Sequence, residues 1–95
     1  PMASASLGLR VLGPDGGRAM RLQFTLPAGD RTSLVLYDLR GRRVRTLVTE
    51  DLAGGSHERS WDGRDVAGKR VAAGIYFARL EWRGQTETTR VVRLR

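Results

Sequence analysis

The chain has no cysteine. That excludes thiol catalysis, cysteine-ligated metal and the disulfide staples of many small extracellular domains, so packing alone must hold the fold. There is a single histidine, His57, which leaves zinc without a ligand set. Aromatic residues make up 6% of the chain, few for a surface that stacks nucleic-acid bases. No apolar run approaches the ~18–20 residues of a membrane span. No glycine-free stretch of a dozen or so residues keeps a helical period, so no helix is expected. Lysine is also scarce: Lys69 stands beside sixteen arginines.

What remains is small, glycine-rich and basic. Ninety-five residues make one domain. A chain of this size buries about 60–65% of its unfolded surface, which leaves little room for a deep active site. Twelve glycines suit a turn-rich all-β chain. The net charge of +7 and pI of about 11.4 favour anionic partners. The even spread of the arginines also fits outward strand faces that stay soluble and unsticky. The opening "PMASAS" is featureless, and no signal peptide is visible. Residues 1–6 therefore read as a linker or cloning remnant and 7–95 as the domain, a monomeric module of a longer protein.

Period-2 alternation marks about seven short strands. A weak one lies around Leu7 to Leu12, followed by turn chemistry in "GPDGG". In "AMRLQFTL", Met20, Leu22, Phe24 and Leu26 point one way and Arg21, Gln23 and Thr25 the other. "TSLVLYDL" is apolar on both faces, as a central strand should be. "RVRTLVTE" follows with Val44 and Leu47 or Val48 inward, then a strand ending at Trp61, then "GIYFARLEW", and last "TETTRVVRL". Strands at roughly 8–12-residue spacing with turns between them indicate an antiparallel β-sandwich. Phe24, Tyr37 and Trp61 fall at core positions. Trp82, beside Arg83, is the aromatic expected to be partly exposed.

No chemistry emerges from the polar residues. Asp62 and Asp65 in "WDGRDVAGKR", with Asp38, offer oxygen atoms, but the spacing is not that of a calcium loop and Arg64 and Lys69 would oppose a dication. Aspartates there are expected to accept backbone N–H groups and fix a tight turn. Glu50, Asp51 and Glu58 lie in turns without a cleft. Ser56 and His57, adjacent on a strand, face opposite ways. Neither glycine-rich loop opens a helix, so no dinucleotide or phosphate cradle forms. We expect no catalytic residue, no cofactor and no metal.

From about Leu34 to Leu94, three segments in order carry a resemblance: "VLYDLRGRRVRTLV", "AGGSHERSWDGRDVAGKRVAAGIYFARL" and "TRVVRLR". The chain resembles the Ig-like β-sandwich family that includes the Ig-like domain of the flagellar hook-capping protein and the C-terminal domain of type IX secretion cargo in Bacteroidota and relatives. The resemblance implies an all-β fold, a single antiparallel Ig-like β-sandwich of about seven strands. Its signature would be Tyr37, Asp38, Gly41, Gly54, Trp61, Asp62, Gly63, Asp65, Gly68, Gly74 and Tyr76. The glycines would supply turn conformations closed to other residues, the aspartates would tie those turns, and Trp61 and Tyr76 would plug the sandwich ends. The basic closing strand resembles the end of type IX cargo. That implies a non-catalytic sorting or surface-attachment module, exported through the periplasm to the cell surface or beyond. Its partner would be secretion or attachment machinery of the outer membrane, met by Arg90, Arg93 and Arg95. The family's usual Asn-Pro segment is missing near Pro14. Two alternatives stand beside this reading: a hook-cap-type structural domain, and an accessory module binding carbohydrate or anionic surface polysaccharide.

Overall fold

The computed structural model describes residues 6–14 and 19–94. Seven strands follow one another: β1 (Gly8–Pro14), β2 (Met20–Leu26), β3 (Asp30–Tyr37), β4 (Arg43–Leu52), β5 (Gly55–Trp61), β6 (Gly74–Trp82) and β7 (Gln85–Arg93). Every pairing between them is antiparallel. One sheet has the order β1-β2-β5 and the other β4-β3-β6-β7. The fourth strand joins the sheet of strands three, six and seven, and the two sheets form the expected β-sandwich. No helix occurs among the described residues, so none there could cross a membrane. Residues 15–18, the last three of "GPDGG" and Arg18, lie outside the described residues, as do residues 1–5 and Arg95.

Alternation builds the core. Leu22, Phe24 and Leu26 of β2 face Leu34 and Leu36 of β3 and Tyr76, Ala78, Leu80 and Trp82 of β6 in one cluster. Hydrophobic burial of these side chains is the main favourable term in a chain without staples. β3 is central, as its two apolar faces indicate: Leu34 and Leu36 point in, and Val35 on the other face is also buried. β4 is longer than its partner segment because it carries two bulges opposite Leu34/Val35 and Leu36/Tyr37. Val44 and Val48 are both buried, while Leu47 packs at the rim. Thr32, the buried polar residue of the core, donates its hydroxyl to the Asp30 carbonyl at 3.1 Å.

Three expectations change. Tyr37 is half-buried and in phase with Val35 on the outer face of β3, so it lies outside the core cluster. Trp82 is not partly exposed: 5% of it reaches solvent, and its indole N–H donates to the Ala28 carbonyl at 3.1 Å. It shares the period of Tyr76, Ala78 and Leu80, so it had to point inward. Gly54 does not supply a left-handed turn; that conformation belongs to Gly55, at φ +113°. Gly54 is needed for proximity, since a Cβ there would lie 2.9 Å from the Ala28 Cα. Backbone cannot yield as a flexible side chain would.

Candidate functional site

The segment from Trp61 to Gly74 closes one end of the sandwich, where β5 ends and β6 begins. Asp62 Oδ1 accepts the Arg64 N–H at 3.0 Å and pairs with Arg45 Nη1 at 3.0 Å. Asp65 Oδ1 accepts the N–H groups of Ala67 and Lys69 at 2.9 and 3.0 Å. Val66 N–H reaches across to the Val44 carbonyl at 3.1 Å and fastens the loop to β4. These are Asx-turn contacts: a short carboxylate replaces the carbonyl that a strand or helix would provide. The carboxylates point at backbone donors and an arginine, which is the surrounding of a structural turn rather than of a cation.

Trp61 sits under this loop, 1% exposed, and donates its indole N–H to the Arg64 carbonyl at 2.9 Å. Tyr76 meets it edge to face with ring centroids 5.3 Å apart. The Tyr76 hydroxyl donates to the Ala72 carbonyl, four residues upstream, at 2.6 Å. A sixth-strand tyrosine bonded back to upstream backbone matches the tyrosine corner of immunoglobulin sandwiches. Both rings therefore stand at the same end, and Trp82 closes the other. Gly41, Gly63, Gly68 and Gly74 all have positive φ.

Asp38 organises the β3–β4 turn in the same way. Its Oδ1 accepts the N–H groups of Arg40 and Arg42, and its Oδ2 accepts Arg42 Nε, each at 2.9 Å. The Arg42 backbone N–H, then that of Arg40 and the Arg42 guanidinium, hold the carboxyl below its usual range against the opposing effect of desolvation. Asp30, at the other end, is lowered chiefly by Arg83, whose Nε lies 2.7 Å away, and then by the Arg31 N–H. Arg83 also stacks over Trp82, with its guanidinium carbon 4.9 Å from the ring centre. That cluster went unnoticed in the sequence because Asp30 and Arg83 are far apart along the chain.

Ser56 and His57 do not form a dyad. His57 stacks on Phe24 at 5.3 Å with Nε2 2.7 Å from the Ala53 carbonyl, while Ser56 Oγ accepts from Gln23 at 3.1 Å. The basic residues of β7 do not share one surface either. Arg90 is exposed and Arg93 half-buried, and they flank the buried Val91 with opposite phase. Arg95 lies outside the described residues.

A model of the FlgD Ig-like domain matches residues 10–85. The chain belongs to the FlgD Ig-like domain family. Among solved structures, FlgD from P. aeruginosa matches with a TM-score of 0.60 and 25% identity, over 76% of this chain and 57% of that one. The chain thus corresponds to little more than half of that FlgD. No curated protein matches. The FlgD match corrects the type IX reading. The family shown is that of FlgD, a flagellar hook-cap protein, and not that of type IX cargo, so the expected export as type IX cargo does not stand. The cause of the error is physical. Trp61, the aspartate turns and Tyr76 pack the core and fix turns, so they report the fold and not what the domain does. The basic ending is β7, the edge strand that completes the four-stranded sheet of this FlgD-like fold.

Proposed function

We propose that the chain is a non-catalytic structural module of the hook-cap type, acting within a larger protein that assembles at the flagellar hook. The observation that carries this reading is the FlgD family match over residues 10–85, supported by the likeness to a solved FlgD. The way the polar residues are used agrees with it: the aspartates serve turns, and His57 serves packing. The test is an in-frame deletion of residues 10–85 from the parent gene in its own organism. Hook assembly, seen by electron microscopy, and swimming should be lost while the truncated product remains detectable. Normal hooks and normal swimming would sink the reading.

An anion-binding module is the second reading, and the net charge of +7 favours it. It ranks second because Arg21, Arg42, Arg45, Arg59, Arg79 and Arg83 each face a carboxylate within 4 Å. Retention on an acidic polysaccharide column at low salt, lost as salt is raised, would support it. Passage without delay at low salt would remove it.

A further inference from the structure

A cleft of about 750 Å³ opens at the Trp61 end, between the start of β2, the segment leading into β6, and the end of β7. Met20, Trp61, Val71 and Val91 supply apolar wall, and Val92 and Leu94 stand at its edge, 42% and 76% exposed. Among the described residues no carboxylate lines it, while Arg70 and Arg93 do. Arg93 Nη1 donates to the Leu94 carbonyl at 3.1 Å. Its Nε is buried with no hydrogen-bond partner, and no carboxylate among the described residues pairs with it. A buried guanidinium N–H left unmatched is costly, and an incoming acceptor would remove that cost. The guanidinium lies against Gly63, where a Cβ would collide with Arg93 Nε. The glycine, at φ +78°, keeps that seat open.

The cleft is continuous with a strand edge. β7 pairs with β6 on one side; β1 lies close by it without pairing, and the end of β1, Pro14, borders the same cleft. Residues 91–94 of this edge line the cleft. An unpaired edge beside an apolar pocket is the arrangement by which sheets accept an added strand: the backbone supplies hydrogen bonds and the pocket selects side chains. A fatty acid could satisfy Arg93 but would leave the edge unpaired.

We propose that this cleft docks an extended peptide segment of a protein partner. The segment adds along β7, sets an aliphatic side chain on the apolar wall and brings a carboxylate to Arg93. The proposal stands independently of the hook-cap reading.

The test uses the 95-residue chain. It is titrated with an end-blocked hexapeptide of alternating valine and aspartate, followed by calorimetry and tryptophan fluorescence. The same peptide with asparagine for aspartate should bind about tenfold more weakly or worse. R93Q should lose a similar factor in affinity for the aspartate peptide and bind both peptides about equally. L94S, at an exposed position, should weaken both peptides. Amide exchange along β7 should slow in the bound state, as strand addition requires. The proposal is overturned by no binding at ~1 mM peptide, by equal affinity for both peptides, or by slowed exchange nowhere on β7. Binding of decanoate without binding of peptide would also overturn it.

Discussion

Trp61 and Trp82 do the same work at opposite ends of the sandwich. Each buries its ring and each donates its indole N–H to a loop carbonyl, Arg64 in one case and Ala28 in the other. Truncating Trp61 removes a large core ring, its contact with Tyr76 and its hold on the loop. Trp61→Ala should therefore cost about 3–5 kcal/mol, read from urea unfolding. A cost below about 1 kcal/mol would mean that the site collapses around the missing ring. Asp38 makes the pH prediction. Its carboxyl is held below its usual range, chiefly by the Arg42 backbone N–H. A folded-state pKa below the unfolded one adds stability that is fully present above the unfolded value, about 3.9. That stability is lost as pH falls through the folded value. Asp38→Asn keeps an oxygen for the two backbone donors but carries no charge. The variant should be less stable than the parent at neutral pH, and the gap should shrink as pH falls below the unfolded value and through the folded one. A gap that stays constant across the acid range would show that the charge is irrelevant. Asp30 carries the same sign of shift, so some acid dependence should remain in the variant.

At the scale of elements, the strands were legible and the surfaces between them were not. β6 was read from Gly74 to Trp82 because its glycine start, aromatic content and period of two coincide. Beside Arg83, Trp82 looks like a surface residue, but the strand's own phase turns it inward. The Asx turns at Asp38, Asp62 and Asp65 were readable because each involves residues close in sequence. The Asp30–Arg83 pair, the Gly54–Ala28 contact and the cleft at Arg93 are products of register and loop closure. No local pattern encodes them. The β5–β6 loop itself gives a prediction. Asp65→Ala removes an acceptor for two backbone N–H groups in an exposed turn, where water can replace it in part. The cost should be about 1 kcal/mol in a thermal or urea melt. Calcium at millimolar concentration should leave the melting temperature of the parent chain unchanged. A calcium-dependent rise that Asp65→Ala abolishes would make the loop a cation site.

The whole molecule is one core with an aromatic stopper at each end. The cluster runs without interruption from Trp61 and Tyr76, through Leu22, Phe24, Leu34, Leu36 and Leu80, to Leu26 and Trp82. Members of both sheets interleave in it, so neither sheet can leave while the other keeps its apolar face buried. No disulfide fastens either end separately. A domain of this size with one shared core should unfold in a single step. The two tryptophans report on this from opposite ends. In Trp61→Phe only Trp82 fluoresces, and in Trp82→Phe only Trp61 does. Each variant is destabilised, so the comparison belongs within a variant: fluorescence midpoint against far-UV circular dichroism midpoint in the same urea series. The two should coincide in both variants. If Trp61 reports an earlier transition than the strands do, the β5–β6 end opens by itself. The loop contacts of Asp62, Asp65 and Val66 would then be too weak to couple that end to the core. The same result would make the adjoining cleft a surface that is formed only part of the time.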